Sequence, residues 1–423
     1  MKPIVLVATT SVWFPTARLA IALQRAGFTV DAVCPPHSPI SKISAVRRRY
    51  TYSGLYPTSS LMHAIENANP DLIIPGDDLA ARQLHFLYRR EQARGSKGRK
   101  TCSLIESSIG SAESFSVVFE RATFMRIAEE EGVRVPKTRV IGEIADLERW
   151  ITETGFPTVL KADGTSGGDG VRIVRNSAEA SRVFQELKAP PLLARAAKRA
   201  LVDRDRTLVW PSVLRRRSSV SAQAMITGHE ATTTVACWRG KVLGTLHFEV
   251  VKKSYAAGPA TVMRLIEHPE MTASAERMVR RLNLSGIHGF DFMIEANTGN
   301  PYLIEINPRA TQVGHLTLGL GRDLPAALLS AVTGTEVQPA AKATDKDTVA
   351  LFPQEWMRDP ESPFIQSAYH DVPSDEPQLL EACIQRGMKQ LRSRPQQPKQ
   401  EAGYQNPVSL SMIKAKLNES RHE

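Results

Sequence analysis

Alternation of apolar and polar positions is clearest in one late segment of the chain. Residues 289–295 and 302–309 both alternate with a period of two, and a short stretch rich in Asn, Gly and Pro separates them. This pattern predicts two half-buried strands joined in a hairpin. Because alternate side chains of a strand share one face, pairing the two strands brings Asp291 close to Glu305 and Asn307.

The polar face of this hairpin has the composition of a metal site. Asp291, Glu305 and Asn307 supply carboxylate and amide oxygens, which are the ligands that Mg²⁺ prefers. The ion takes its remaining ligands from water and phosphates. We therefore predict a site for Mg²⁺, or for Mn²⁺ in its place. The alternative is a surface hairpin whose polar side chains face solvent.

A second motif lies far upstream of the hairpin. Residues 156–161 form an apolar run that ends in Lys161, residues 164–170 are rich in glycine, and residues 171–174 are again apolar. Without Cβ atoms the loop can bring backbone N–H groups close to phosphate oxygens, and the lysine adds a positive charge. Since the loop lies between two strands, and not between a strand and a helix, it fits the dinucleotide fingerprint and the Walker loop poorly.

In this order and separation, the two motifs resemble the ATP-grasp superfamily of carboxylate–amine ligases, in its carbamoyl-phosphate-synthase-like form. The resemblance extends from about residue 107 to about residue 329. It implies that Asp291, Glu305 and Asn307 are magnesium ligands and that Lys161 and Arg309 are catalytic. The residues to which it assigns ATP binding are Arg121, Lys161, Gly167, Gly168, Gly170, Gln223, Ala224, Met225, Ile226 and Glu230.

Residues 221–230 correspond, by the same resemblance, to the segment that encloses adenine. Gln223 occupies the position where an acid often meets the adenine amino group. Residues 224–226 would offer backbone groups and apolar contact, and Glu230 would accept hydrogen bonds from the ribose hydroxyls.

Two positions depart from the family pattern. Arg121 stands where a phosphate-binding lysine is usual, so the charge is kept. Gly289, with His288 beside it, stands where many relatives hold the reacting carboxylate with an arginine. The acceptor chemistry therefore does not carry over directly. Arg309 or the basic segment 195–217 would have to stabilise the developing charge.

The first part of the chain alternates strand and helix signals, which predicts a parallel α/β sheet. The predicted strands are residues 4–8, 29–34 and 72–75, and the predicted helices are residues 16–26 and 61–67. Asp77 and Asp78 follow the third strand, at the edge of the sheet that would face the active site. They either contact the substrate or cap the next helix.

The predicted fold class is α/β and α+β. A parallel α/β (pre-ATP-grasp) domain is expected at residues 1–112, two ATP-grasp subdomains at 113–220 and 221–340, and a C-terminal extension at 341–423. From about residue 392 we expect disorder. Three further elements are predicted, namely a helix at 111–131 and strands at 241–246 and 349–352.

Several charged residues and histidines keep two interpretations. The residues that would follow the strand at 241–246 are His247, Glu249, Lys252 and Lys253. A lysine there either reaches a phosphate or lies at an exposed strand end. His288 and His315 are either structural or involved in proton transfer.

Composition narrows the class of protein. The chain has 423 residues, 42% of them hydrophobic, which is enough for two or three domains. It has no apolar run long enough for a bilayer, and its four cysteines are scattered, so we expect reduced thiols and a cytoplasmic protein. The net charge of +10 raises the question of nucleic acid. The basic clusters lack interleaved aromatic residues, so solvated loops are favoured over a nucleic-acid partner.

The resemblance implies an ATP-dependent ligase whose partners are ATP, a small carboxylate and an amine, and it allows a homodimer. A substrate carboxylate would attack the γ-phosphate of ATP, and an amine would then displace phosphate from the acyl phosphate. Three alternatives stay open. They are a kinase that stops at the phosphorylated product, a module that binds ATP without turning it over, and a nucleic-acid-binding protein.

Overall fold

Within the described residues, the strands form three sheets, of four, four and seven strands. The computed structural model describes residues 2–163, 170–189, 219–255 and 258–393, with side chains as far as residue 388. Three segments of the sequence analysis lie outside these ranges. They are residues 164–169 of the glycine-rich loop, the basic segment 195–217, and residues 394–423 of the tail expected to be disordered. A parallel α/β unit, an antiparallel sheet and a mainly antiparallel sheet follow one another along the chain, which confirms the predicted fold class.

The first sheet is parallel, in the order β3-β2-β1-β4. Its strands are β1 (Ile4–Ala8), β2 (Thr29–Cys34), β3 (Val46–Thr51) and β4 (Leu72–Pro75), and its helices are α1 (Phe14–Ala26), α2 (Pro57–Ala68), α3 (Asp78–Gln92) and α4 (Arg99–Ile109). Core clusters lie on both faces, which is why the central strands show continuous apolar runs. The edge strand β3 escaped prediction because three consecutive exposed arginines interrupt its pattern.

The second sheet is antiparallel, in the order β5-β8-β6-β7. Its strands are β5 (Thr138–Ile141), β6 (Thr158–Ala162), β7 (Val171–Val174) and β8 (Val220–Ala224), and the helices of this part are α5 (Arg121–Glu130), α6 (Ile144–Thr154) and α7 (Ser177–Lys188). Trp150 and Phe184 of α6 and α7 bury one face of the sheet. The opposite face carries Lys161 and leaves Val140 and Ile173 exposed.

The third sheet has seven strands in the order β13-β12-β9-β10-β11-β14-β15. They are β9 (Gly228–Trp238), β10 (Lys241–Lys253), β11 (Ala260–Leu265), β12 (Gly286–Glu295), β13 (Pro301–Asn307), β14 (Thr348–Leu351) and β15 (Tyr369–Asp371). The helices here are α8 (Pro269–Arg281), α9 (Leu324–Thr333), α10 (Gln354–Arg358), α11 (Phe364–Ser367) and α12 (Pro377–Ser393). The segment predicted as a C-terminal extension thus supplies two strands of this sheet.

One face of the second sheet and one face of the third turn towards each other. Lys161 on the second sheet interacts electrostatically with Glu305 and Asp291 on the third. We call the space between these two faces the cleft.

The C-terminal elements also pack on the first sheet. Leu23 of α1 shares a core cluster with Trp356 and Leu379. Arg18 of α1 forms a buried ion pair with Asp371 of β15. The first and third sheets therefore share a hydrophobic core. In the described part of the chain, no helix combines the length and the apolar character that crossing a membrane requires.

The helix predicted at residues 111–131 was wrong in its first half. Two short 3₁₀ turns, Ala112–Ser114 and Val117–Phe119, precede α5. The ring of Phe115 stacks on His85 with 3.9 Å between centroids, so tertiary packing overrides the helical periodicity.

The strand predicted to end at Leu246 continues to Lys253. The four polar residues expected to follow it therefore lie within β10. Its length follows from pairing with β9 on one side and β11 on the other, which periodicity alone did not show.

Candidate active site

The predicted hairpin is confirmed. β12 and β13 pair antiparallel, with Asp291 directly opposite Glu305, and β9 places Thr232 on the other side of Asp291. Phe290 and Phe292, which alternate with Asp291, are buried against the helical layer. The polar side chains therefore face the cleft.

Asp291 is a half-buried carboxylate that accepts two hydrogen bonds. Thr232 Oγ1 donates to its Oδ1 and Asn307 Nδ2 donates to its Oδ2, both at 2.8 Å. Burial, together with the neighbouring Glu305 carboxylate, raises the pKa of Asp291 to about 6. Two acids crowded in this way favour a bound cation.

The donor set fits an ion that takes only part of its ligands from the protein. Two carboxylates and the Asn307 amide are hard oxygen donors, as Mg²⁺ prefers. Across the described ranges no group of three or more His, Cys, Asp or Glu side chains could hold a metal by itself. Phosphate and water oxygens would complete the coordination.

Gly289 has no room for a side chain. A Cβ atom built there would lie 2.4 Å from Thr311 Cγ2 and 3.4 Å from Asn307 Cβ. The arginine that the resemblance would place at this position is therefore incompatible with the packing of Thr311.

Lys161 lies on the cleft side of β6, between Val171 of β7 and Ser221 of β8. Its side chain is buried. Burial lowers the pKa of Lys161 to about 8, although the Glu305 carboxylate opposes this shift. The ammonium group thus lies where it can neutralise a further anion.

The base of the glycine-rich loop is closed by the backbone. Ala162 N donates a hydrogen bond to Gly170 O at 2.9 Å. Gly170 therefore lies beside the end of β6 that carries Lys161. The predicted phosphate contacts of Gly167 and Gly168 fall outside the described residues.

Arg121 connects the second sheet to the third. Its Nη1 donates to Ala162 O at 2.6 Å, and its Nη2 donates to Glu305 Oε1 at 3.2 Å. Asp163 Oδ1 is 3.6 Å from Nη1. Arg121 therefore lies where the base of the loop and the acidic hairpin meet. Sequence reasoning missed Asp163, which follows β6 directly.

The segment predicted to enclose adenine links the second sheet to the third. Gln223 of β8 is buried, and its Nε2 donates to Thr138 Oγ1 at 3.1 Å. Because Gln223 is two residues from Ser221, the partner of Lys161, it lies on the cleft side of the sheet. The partly exposed residues that follow it are Ala224, Met225 and Ile226.

Glu230 of β9 already has a partner. Lys253 Nζ donates to Glu230 Oε1 at 2.6 Å. Glu230 shares the cleft-facing side of β9 with Thr232, so Lys253 reaches into the cleft. Lys253 is the last residue of β10, and 24% of its side chain is exposed, whereas its neighbour Lys252 is exposed.

Arg309 is held on several sides just after β13. Its Nε donates to Asp78 Oδ1 at 3.0 Å, and its Nη2 donates to Asn307 Oδ1 at 3.1 Å. Its guanidinium carbon is 5.2 Å from the centroid of the Trp13 ring. Asp78 begins α3 and Trp13 precedes α1, so the loops at the edge of the first sheet close one end of the cleft.

Comparison with known protein families matches residues 120–318 to the family described as Carbamoyl-phosphate synthase L chain, ATP binding domain. This range includes the lysine, the glycine-rich loop and the acidic hairpin. The chain contains an ATP-grasp domain.

Curated relatives of this ATP-grasp protein are similar at low identity. The carbamoyl phosphate synthase large chain of Thermus thermophilus is 21% identical over 322 residues, which cover 66% of this chain and 30% of the relative. The formate-dependent phosphoribosylglycinamide formyltransferase of a Nitratiruptor species is 26% identical over 171 residues, which cover 40% of each protein. The chain spans less than half the length of these relatives.

Solved structures show the same fold. The biotin carboxylase domain of 2-oxoglutarate carboxylase from Hydrogenobacter thermophilus has a TM-score of 0.55 and 16% identity, covering 80% of this chain and 71% of that domain. N5-carboxyaminoimidazole synthetase from Staphylococcus aureus has a TM-score of 0.53 and 15% identity, covering 81% and 80%. Identities this low establish the fold of the ATP-grasp protein and leave its substrate open.

Sequence analysis left two interpretations for Asp77 and Asp78, and the structure separates the two residues. Asp77 caps α3, because its Oδ1 accepts from Ala80 N at 2.9 Å. Asp78 contacts Arg309 instead. The position of both residues after a buried strand indicated the correct edge of the sheet, and only the contacts show which one faces the site.

His288 and His315 have partners that favour the structural interpretation. His288 Nε2 is 2.7 Å from Ser285 O, and burial lowers the pKa of His288 to about 4. His315 Nε2 is 2.7 Å from Asp371 Oδ2, in the contact that ties α1 to β15.

Proposed function

We propose that this protein is an ATP-dependent ligase that activates a substrate carboxylate as an acyl phosphate and joins it to an amine. The observation that carries the proposal is the double contact of Arg121 with Ala162 O and Glu305 Oε1. It places the lysine-bearing end of β6 beside the acidic hairpin. Lys161 and Arg121, which would bind a triphosphate, therefore face the same cleft as the hairpin acids that would bind its metal.

The nucleotide would lie along the cleft. Lys161 and Arg121 would offset phosphate charge, and the glycine-rich loop, with Gly167, Gly168 and Gly170, would cover the phosphates. Adenine would lie against the exposed apolar side of the second sheet. The residues proposed to bind adenine and ribose are Gln223, Ala224, Met225, Ile226 and Glu230.

Asp291, Glu305 and Asn307 would hold Mg²⁺, or Mn²⁺ in its place. When bound, this ion would neutralise phosphate charge and orient the γ-phosphate. The pairing of β12 with β13 fixes Asp291 opposite Glu305 and would thereby fix the position of the ion. Thr232 keeps the Asp291 carboxylate in a single orientation.

The proposed reaction has two steps. A carboxylate oxygen attacks the γ-phosphorus of ATP, the bond from phosphorus to the β,γ-bridging oxygen breaks, and ADP leaves with that electron pair. An amine nitrogen then attacks the acyl carbon, the carbon–oxygen bond to phosphate breaks, and the amine proton leaves with inorganic phosphate. Arg309 would stabilise the negative charge on the acyl oxygen in the second step.

The names of similar proteins support this class of reaction. The Hydrogenobacter structure was solved with MgADP, ADP and bicarbonate, and the Staphylococcus structure with ADP. We therefore propose ATP and Mg²⁺ as ligands of this chain. The substrates of those proteins are not part of the proposal.

The test is ADP release over a panel of amino acids, dipeptides and small carboxylic acids, with mass detection of products. Glu305→Gln removes a carboxylate charge while keeping its shape, and we expect ADP release to fall about a hundredfold or more. Glu295→Gln is the matched control. Glu295 lies on the same hairpin but contacts Thr298, at 2.7 Å, in the turn.

Unchanged ADP release from Glu305→Gln would contradict the metal assignment. A phosphoester without an amide would identify a kinase. Nucleotide binding without ADP release across the whole panel would identify an ATP-binding module.

A further inference from the structure

The end of the cleft beside Arg309 is formed by the first sheet. Trp13 follows β1 and Asp78 follows β4, and these two strands are adjacent and parallel. Ligands of open α/β sheets bind at the carboxyl ends of such strands. The side chains at this edge therefore lie where a ligand of this sheet would meet Arg309.

Asp77 is not available for a ligand, because its carboxylate is already saturated. Its donors are backbone N–H groups and hydroxyls of the loop after β1 and of α3, from Thr9, Thr10, Ser11 and Ala80. This carboxylate fixes the loop that carries Trp13 to the start of α3.

Asp78 is open to a ligand. Its Oδ1 accepts from Arg309 Nε at 3.0 Å, and no second hydrogen bond from a described residue reaches its carboxylate. The side chain is 29% exposed. One arginine holds this carboxylate in place, and the carboxylate keeps free lone pairs. It is therefore suited to accept hydrogen bonds from an ammonium group.

Arg82 lies one helical turn beyond Asp78, ~6 Å along the axis of α3. Its guanidinium carbon is 3.9 Å from the centroid of the Phe119 ring, and its side chain is exposed. It forms no ion pair with an acid of the described ranges, although Asp78, Asp163 and Arg121 act on it electrostatically. Arg82 is therefore a free cation near both Asp78 and the phosphate end of the cleft.

The separation of these two charges suits a zwitterion. An Asp and an Arg four residues apart on a helix are normally placed to pair with each other. Here Arg309 holds Asp78 and the ring of Phe119 holds Arg82, so each charge remains available. Trp13, whose ring faces Arg309, adds an apolar wall beside them.

We propose that Arg82 binds the carboxylate, and Asp78 the ammonium group, of an amino-acid-like substrate whose carbon skeleton lies against Trp13. This inference rests on the proposed ligase function and names its substrate class. The carboxylate on Arg82 is the one that meets the γ-phosphate, since Arg82 packs on Phe119, two residues before Arg121, which contacts the base of the glycine-rich loop and Glu305. The subsite selects α-amino acids over acids that lack an amino group, including bicarbonate and formate.

The first measurement is binding, separate from turnover. The full chain, with MgADP present, is titrated by calorimetry with α-amino acids and with the matched acids that lack the amino group. We expect amino acids to bind about tenfold or more tightly than their matched acids. Asp78→Asn should weaken amino-acid binding about tenfold and leave binding of the matched acids nearly unchanged.

Two further variants sharpen this comparison. Asp78→Glu keeps the charge and should restore part of the preference for amino acids. Asp345→Asn is the control, since the Asp345 side chain is 93% exposed and contacts Lys342. It should leave binding unchanged.

The second measurement is activation of the carboxylate. Hydroxylamine converts an acyl phosphate to a hydroxamate, so activation is detected without the natural amine. We expect Asp78→Asn to raise KM for the amino acid about tenfold and to leave KM for ATP unchanged.

Equal binding of amino acids and matched acids, or unchanged amino-acid binding by Asp78→Asn, would overturn the subsite. Amino-acid binding that depends on Asp78, with no hydroxamate from any acid, would support the subsite and contradict the ligase function. The two failures are therefore distinguishable.

Discussion

Arg121 Nη2 lies 3.2 Å from Glu305 Oε1, so a fixed cation of the protein contacts an acid that we propose as a metal ligand. Arg121 is also the first residue of α5, and no acid lies in the first turn of that helix. A basic residue at this end opposes the helix dipole, so its place is not explained by helix stability. The contacts of Arg121 with Glu305 and with the base of the glycine-rich loop explain its position better.

We predict that Arg121→Ala raises KM for ATP about tenfold or more, because a cation next to the phosphates is lost. Arg121→Lys should lie between this variant and the wild type, since lysine keeps the charge and loses the planar two-sided contact. Initial rates of ADP release against ATP concentration measure both.

The matched control is Arg126→Ala on the same helix, because Arg126 pairs with Glu130 at the surface. We expect a wild-type KM for ATP from it. If Arg121→Ala also kept the wild-type value, Arg121 would not contact the phosphates.

Packing explains Gly289 and gives a prediction about stability. Gly289→Ala should lower the free energy of unfolding by about 1–3 kcal/mol, because the new methyl group overlaps Thr311 Cγ2. Thr311→Ser removes this methyl group and keeps the hydroxyl that lies 2.5 Å from Thr234 Oγ1. The double variant should therefore be more stable than Gly289→Ala alone. Denaturant unfolding of all four proteins completes the cycle, and additive losses would exclude the steric explanation.

The sequence predicted the local part of this site well. Alternation with a period of two determined that Asp291 and Glu305 share a face, and the pairing of β12 with β13 confirms it. The strands around the glycine-rich loop were also predicted, because Lys161 ends an apolar run and the next run follows the loop directly. Both patterns depend on neighbours in the chain.

Contacts between distant segments could not be predicted in this way. Asp78 and Arg309 are separated by 231 residues, and no period relates them. Lys253 seemed to follow a strand because its pairing with Glu230 depends on the full length of β10. Of the two strands from the C-terminal segment, β14 was predicted at residues 349–352 and β15 was not. Their place in this sheet could not be predicted, since the centre of the sheet lies far earlier in the chain.

Buried histidines predict how stability depends on pH. Burial lowers the pKa of His85 to about 3 and of His247, His288 and His370 to about 4. The unfolded chain takes up these protons near the ordinary value of about 6.5, so below that pH it binds more protons than the folded chain. Stability should therefore be full above about pH 6.5 and fall steadily towards pH 4. Urea unfolding at several pH values measures this slope.

His247→Gln tests one of these four groups. His247 lies between two hydroxyls, of Thr233 and Thr272, each 2.8 Å from a ring nitrogen. Glutamine cannot titrate, so the dependence of stability on pH should become shallower in this variant. His63→Gln, at an exposed position on α2, should leave the slope unchanged. Identical slopes for wild type and His247→Gln would show that this histidine does not contribute.

Two ion pairs between α1 and the C-terminal part offer a comparison of buried with exposed charges. Arg18–Asp371 is buried, with 14% and 3% of the side chains exposed, whereas Arg25–Asp375 is exposed at 58% and 54%. Burial alone would raise the pKa of Asp371, but Arg18 and His315 outweigh it and lower the value to about 2. The stabilisation is therefore complete above the ordinary pKa of about 4 and is lost as pH falls through 2.

We predict that Asp371→Asn costs about 3–5 kcal/mol of unfolding free energy at neutral pH, because it leaves the Arg18 charge buried without its partner. Asp375→Asn, four residues later, should cost less than about 1 kcal/mol, since solvent screens an exposed pair. Denaturant unfolding of the two variants measures the difference. Equal losses would mean that the C-terminal segment is held to α1 by the core cluster that contains Leu23 and Leu379, and not by the buried charge.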